Sequence, residues 1–168
     1  NGYTGTLHNF NYGSNGGLQQ EGKNISNLVL NGTAYVDIDF APFADNMKNG
    51  GAIEVYFKTR DCGNQEARVI DITDVKPPNK GVYISTEKVN FASAAQHIDG
   101  AIGENEWIHA LINIDRMEGF VHIYINGVSV KQCKLTDKGS GTSAILESID
   151  HAQHIFVGST KGESNFGM

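Results

Sequence analysis

The clearest pattern in the chain is a strict alternation of apolar and polar residues between residues 107 and 130. Every second residue is apolar in Ile108–Ile114 and again in Val121–Ile125. A period of two predicts half-buried strands, because successive side chains leave opposite faces of a sheet. The pair Asn126-Gly127 predicts a type I′ turn, and residues 115–119 predict a longer hairpin loop. The stretch is therefore expected to form three antiparallel strands.

Shorter segments with the same alternation recur along the rest of the chain. Residues 34–40 and 53–58 each predict one strand with one buried side and one solvent-exposed side. Further strands are predicted over residues 5–10, 28–30, 68–74, 82–85, 88–92 and 155–158. The pair Asn31-Gly32 predicts a hairpin between residues 28–30 and 34–40. The total of about ten or eleven short strands, with almost no helix, indicates an antiparallel sandwich or barrel.

Composition narrows the possible partners. The chain has 168 residues, which is the size of one domain, with 20 glycines and 3 prolines. The net charge is −6, and no cluster of lysine and arginine occurs. We therefore expect neither nucleic acid nor an anionic membrane surface as a partner, since both require a basic patch. No apolar run approaches the ~20 residues of a membrane span, so membrane insertion is not expected.

Catalytic and metal-binding patterns are sparse. Glycoside hydrolysis needs two carboxyl groups across the scissile bond, and the nearest match is Glu104-Asn105-Glu106. Asp37 and Asp39 share a strand face, but a solvated acidic face is the commoner origin of such pairs. We expect the protein not to be an enzyme. Cys62 and Cys133 lie outside any CxxC motif, and both a disulfide and two thiols remain open.

Aromatic and polar residues on the wet strand faces are the candidates for ligand binding. Tyr56, His122 and Tyr124 share one face if their strands belong to one sheet, and Asp37 lies on the wet face of another strand. A sugar stacks its apolar face on a Tyr or Trp ring, while Asp, Asn and His bind its hydroxyls. The alternative is that Tyr occupies these positions because it packs well on strands. Trp107, at the start of its strand, is expected in the core.

The order of these elements resembles the laminin-G-like branch of the concanavalin A-like lectin and glucanase sandwiches. The matching residues are Trp107, Tyr124, Asn126, Gly127 and Gly158, and the resemblance covers about residues 28–160. The segment PFADNMKNGGAIEVYFKT also resembles laminin-G-like modules of phage tail and baseplate proteins from Gram-positive hosts. The resemblance implies a two-sheet antiparallel jelly-roll sandwich over residues 1–168.

The resemblance also implies a function. It indicates a non-catalytic, lectin-like module that binds a cell-surface carbohydrate within a larger extracellular or virion surface protein. The alternative is an assembly module of a phage tail or surface complex that docks another protein chain, and a glycoside hydrolase is less favoured. Family members often bind calcium, which leaves calcium open as a cofactor. Suitable oxygens are those of Asp71, Asp74, Asp99 and Asp115, although no local motif joins them.

One departure from the family pattern concerns the C-terminus. The family has a further strand after the glycine-rich turn, whereas this sequence ends at Met168. An open strand slot would leave backbone groups unsatisfied. We therefore expect a C-terminal segment, a partner chain or the N-terminal residues 5–12 to complete the sheet.

Overall fold

A computed structural model gives the structure of the protein for residues 4–10, 17–20, 26–30, 32–40, 46–58, 67–72, 82–86, 88–91, 94–97, 106–135, 149–150 and 152–159. Within these residues the chain forms thirteen strands and one short 3₁₀ helix, Asn46–Asn49, and residues 149–150 are also helical. The strands are β1 (Gly5–His8), β2 (Gly17–Gln20), β3 (Ser26–Val29), β4 (Tyr35–Asp39), β5 (Gly50–Lys58), β6 (Arg68–Asp71), β7 (Val82–Ser85), β8 (Lys88–Phe91), β9 (Ala94–His97), β10 (Trp107–Asp115), β11 (Phe120–Ile125), β12 (Val128–Lys134) and β13 (His154–Val157).

The described strands form two main sheets, and every pairing is antiparallel. The larger sheet has seven strands in the order β1-β4-β13-β6-β7-β8-β9, and the smaller has four in the order β12-β11-β10-β5. Strands β2 and β3 form a separate pair. The prediction of an all-β chain with two antiparallel sheets is confirmed. No helix in the described part of the chain is long and apolar enough to cross a membrane.

The core lies between the inner faces of the two sheets. From the four-stranded sheet, Phe57 and Ile112 enter one cluster with Ile84 and Phe91 of the seven-stranded sheet. Strand β10 alternates between half-buried and buried residues along its whole length, as its sequence predicts. Burial of a large aliphatic or aromatic side chain contributes about 1.5–3 kcal/mol to folding. The alternating phase of each strand therefore fixes which of its sides faces the core.

The three strands predicted between residues 107 and 130 are confirmed, with the third extending to Lys134. Strand β10 pairs with β11, and β11 pairs with β12, both in antiparallel register. Asn126 and Gly127 have φ of 51° and 79°, the two positive values that a type I′ turn requires. The hairpin loop between β10 and β11 spans residues 116–119, with a backbone hydrogen bond from Gly119 N to Asp115 O of 2.9 Å.

The hairpin predicted around Asn31-Gly32 is wrong. Strand β3 pairs with β2, and both sides of β4 are occupied by β1 and β13. Gly32 does have a positive φ of 87°, so the chain turns there without joining two paired strands. Strands distant in the sequence occupy both sides of β4 instead, with Val36 opposite Leu7 of β1 and Val157 of β13.

The structure has more strands than the sequence pattern predicted. Strand β9, Ala94–His97, pairs with β8, and β2 pairs with β3 in a segment expected to be irregular. Neither AAQH nor GLQQ contains Val, Ile, Thr, Tyr, Phe or Trp, so local propensity gives no strand signal.

The N-terminal segment does pair with the main sheet, but at its edge. Strand β1 pairs with β4 and ends the seven-stranded sheet, and β13 has β4 and β6 on its two sides. Completion of a sheet by a C-terminal segment or by a partner chain stays a prediction.

Candidate functional site

Three of the four predicted ligand-binding residues share one surface, the outer face of the four-stranded sheet. Tyr56 of β5 lies opposite His109 of β10, and Tyr124 of β11 lies opposite Leu111. His122 follows the same alternation on β11 and lies opposite Asn113. The condition that these strands belong to one sheet is therefore met. We call this surface the aromatic face; its ring side chains are Tyr56, Trp107, His109, Phe120, His122 and Tyr124.

The first cluster on the aromatic face is a stacked pair. The rings of Tyr56 and Trp107 are nearly parallel, with an interplanar angle of 10° and centroids 4.8 Å apart. The Lys58 ammonium lies 5.2 Å from the Trp107 ring centroid, within cation–π range. Tyr56 is 64% exposed although one side of its ring packs on Trp107. It thus presents a flat apolar surface to solvent on a rigid base.

The prediction that Trp107 lies in the core is wrong. Trp107 is half-buried on the outer face, and its neighbour Ile108 occupies the core position at 2% exposure. The reason is the phase of the strand, since Trp107 has the same parity as His109. The sequence contained this signal, because every apolar core residue of β10 has an even number.

The second cluster runs along β11. His122 lies between Phe120 and Tyr124, with ring centroids 6.2 Å from each, and the three side chains are all half-buried. Phe120 was not among the predicted site residues. It could have been found, because it has the same parity as His122 and Tyr124 in the alternating stretch.

Polar groups between the two clusters are held in place. His109 Nε2 and Glu54 Oε1 are 2.6 Å apart and share a hydrogen bond. The His109 backbone N–H donates to Asn126 Oδ1 at 2.9 Å, and Asn126 N–H donates to the His109 carbonyl at 2.8 Å. The β11–β12 turn therefore fixes the stretch of β10 that faces Tyr56. The arrangement can offer hydrogen-bonding groups beside an exposed ring.

Asp37 belongs to a different surface. It lies on β4 in the seven-stranded sheet, where its Oδ1 is 2.7 Å from His154 Nδ1. Its surroundings include Tyr35 and Phe156, whose ring centroids are 6.4 Å apart. A ligand on the aromatic face would not reach Asp37, because the two sheets pack through their inner faces. A ligand-binding role for Asp37 stays a prediction.

On β6, β7 and β8 of the seven-stranded sheet, described side chains on the outer side are buried. Asp71, Tyr83 and Asn90 are buried at 3–4% exposure, although their phase directs them away from the core. The Arg68 guanidinium lies 3.5 Å from the Tyr83 ring centroid and 3.5 Å from Asp71 Oδ2. By contrast, the aromatic face is solvent-accessible from β5 to β12.

No described residues form a group of three or more His, Cys, Asp or Glu able to hold a metal ion. Of the four aspartates considered for calcium, Asp71 forms an ion pair with Arg68. Asp115 Oδ1 accepts the N–H groups of Met117 and Glu118 at 3.0 and 2.9 Å. Asp74 and Asp99 lie outside the described residues.

The remaining chemical candidates are only partly within the described chain. Glu106 is exposed directly before β10, and Glu104 lies outside the described residues. Cys133 is half-buried on β12, and Cys62 again lies outside them, so pairing of the two cysteines is untested. Comparison of the chain with protein-family models and with curated proteins found no match.

Proposed function

We propose that the protein is a non-catalytic carbohydrate-binding module and that the aromatic face is its ligand-binding surface. The observation that supports this proposal is the clustering of ring side chains on the solvent-accessible outer face of the four-stranded sheet. Stacking on a sugar would use the flat apolar surface that these rings expose.

The polar groups of the aromatic face support the same ligand class. Sugar binding combines a flat apolar surface with a few well-placed donors and acceptors. Here Tyr56 supplies the flat apolar surface. The His109–Glu54 pair, directly beside it, supplies the hydrogen-bonding groups. Because Asn126 holds the His109 backbone, the polar groups are positioned before a ligand arrives, which lowers the entropic cost of binding.

The finer fold assignment and the biological setting belong to the same proposal. We assign the two sheets to a jelly-roll sandwich of the laminin-G-like, concanavalin A-like type. The resemblance in sequence supports a module of a larger extracellular or virion surface protein, such as a phage tail protein. The antiparallel pairing of all described strands agrees with this class.

The test compares the wild-type protein with Tyr56→Ala and Tyr124→Ala on a glycan array and by affinity electrophoresis in polysaccharide gels. Stacking contributes about 0.5–1.5 kcal/mol, so each variant should bind roughly two- to tenfold more weakly. Val128→Ala is the matched control, because Val128 is 63% exposed on the same sheet but is not part of the aromatic face. Retention of full binding by both tyrosine variants would contradict the proposal.

An assembly module is the second candidate, and the geometry of β5 favours it. Strand β5 is nine residues long, pairs with β10 without a bulge, and is the last described strand of its sheet. Such an edge can accept an added strand from another chain. At the other edge, β12 carries Lys131 and Lys134 and is paired through a bulge. A stable complex with a partner chain, together with no glycan signal, would favour assembly over carbohydrate binding.

A glycosidase would release reducing sugar from the bound polysaccharide. We expect none. Release that is abolished in Glu106→Gln would instead assign hydrolysis to the Glu106 carboxylate before β10.

A further inference from the structure

We propose that the aromatic face binds an extended glycan chain over several consecutive sugar rings, not a single terminal sugar. This inference rests on the proposed function and specifies its ligand. It follows from the distribution of the ring side chains, which occupy two separate clusters on different strands.

The register gives the separation of the two clusters. Tyr56 is paired with His109, and Tyr124 is paired with Leu111, one outward position farther along β10. With strands ~4.8 Å apart and a rise of ~3.3 Å per residue, these two rings lie on the order of 12 Å apart. Phe120, paired with Asp115, lies roughly 22 Å from Tyr56 by the same geometry. One sugar ring cannot contact both clusters.

The strip between the clusters continues the binding surface. Leu111 lies half-buried on the outer side of β10, between Glu54 and Tyr124 in the cross-strand register. The next outward residue is Asn113, flanked by His122. Apolar and hydrogen-bonding side chains therefore alternate along a diagonal from the Tyr56–Trp107 pair to Phe120. A chain of sugars presents the same alternation of apolar ring faces and hydroxyl groups.

The charges on this face favour a neutral chain. Two acids, Glu54 and Asp115, and two lysines, Lys58 and Lys134, lie on the outer positions of β5, β10 and β12. A polyanionic glycan is attracted by a uniformly positive surface. These four described residues carry two negative and two positive charges, so they do not form such a surface. The predicted ligand is an extended polysaccharide with little or no net charge.

The experiment measures affinity against chain length. Neutral polysaccharides such as xylan, mixed-linkage glucan, galactan and mannan are screened by affinity electrophoresis. The one that retards the wild-type protein is partially hydrolysed and size-fractionated from monosaccharide to hexasaccharide, and each fraction is titrated by calorimetry. We expect the affinity to keep rising beyond the disaccharide, because longer chains reach the second cluster.

Two variants locate the chain on the surface. Tyr56→Ala and Phe120→Ala remove a ring at opposite ends of the diagonal, and each should abolish most of the gain between the disaccharide and the hexasaccharide. Tyr56→Phe keeps the ring and should retain the gain, as should the control Val128→Ala. A cooperative urea unfolding transition establishes that each variant is folded.

The outcomes separate the inference from the function on which it rests. An affinity that reaches its maximum at the monosaccharide or disaccharide overturns the extended-chain inference and leaves carbohydrate binding intact. An equal length dependence in the wild type and both alanine variants also overturns it. If none of the polysaccharides retards the protein and the glycan array is silent, the proposed function itself fails.

Discussion

Trp107 shows that strand phase can outweigh the preference of a residue type. Large aromatic residues are mostly buried in proteins, which favours a core position. The period of two nevertheless sets Trp107 on the side of His109, where it packs on Tyr56. Its burial is therefore supplied by a neighbouring ring and by Lys58, not by the core. Trp107, which the sequence predicts in the core, is therefore part of the candidate site.

The environment of Trp107 leads to a prediction for its fluorescence. Because Trp107 is the single tryptophan of the chain, intrinsic emission reports on this position alone. Tyr56→Ala should uncover the indole, shift its emission to longer wavelength and increase its quenching by acrylamide. Val128→Ala should change neither property. An unchanged spectrum and quenching constant in Tyr56→Ala would contradict the stacked geometry.

At the scale of elements, the β11–β12 hairpin connects the fold to the site. Its turn needs positive φ at both central residues, and Asn126 meets this need while its side chain accepts the His109 N–H. The same residue thus makes the turn and holds β10 beside Tyr56. The sequence signal for the turn, Asn126-Gly127, could be recognised without the structure, but the bond to His109 could not.

Two substitutions at Asn126 separate these roles. Asn126→Gly keeps the turn and loses the side-chain hydrogen bond, which should lower the free energy of unfolding by about 0.5–1.5 kcal/mol. Asn126→Ala loses the same bond and adds a strain of roughly 1–2 kcal/mol at positive φ. Urea unfolding should therefore rank the wild type above the glycine variant and the glycine variant above the alanine variant. An alanine variant that is more stable than the glycine variant would contradict the requirement for positive φ at this position, because glycine also increases the entropy of the unfolded chain.

At the scale of the whole molecule, the two sheets depend on one another. Buried residues of both sheets belong to one core cluster, so neither sheet has a core of its own within the described chain. Cooperative unfolding follows, because loss of one sheet exposes the inner face of the other. The aromatic face rests on this core through the buried alternate residues of β5, β10 and β11.

This shared core predicts a single unfolding transition. Urea titrations followed by Trp107 fluorescence, which reports on the four-stranded sheet, and by far-ultraviolet circular dichroism should have the same midpoint. Ile112→Ala should lower the unfolding free energy by about 2–5 kcal/mol with both probes, because Ile112 is fully buried. Leu111→Ala, on the outer side of the same strand, is the control and should cost much less. Separate midpoints for the two probes would indicate that the sheets unfold independently.

The sequence by itself determined the elements that depend on near neighbours in the chain. Period-two alternation identified the long strands and their buried sides, and Asn126-Gly127 identified a turn, because both signals act over a few residues. The shared outer side of Tyr56, His122 and Tyr124 was predicted this way.

Only the tertiary structure decided which strands pair and which side chains meet. The partners of β3 and β4, the existence of β9 and the separation of Asp37 from the other candidates depend on contacts between distant segments. Short segments without a strong pattern gain their strand form from such pairing, since it satisfies their backbone groups. The stacking of Tyr56 on Trp107 likewise depends on the pairing of β5 with β10, two strands that are distant in the sequence.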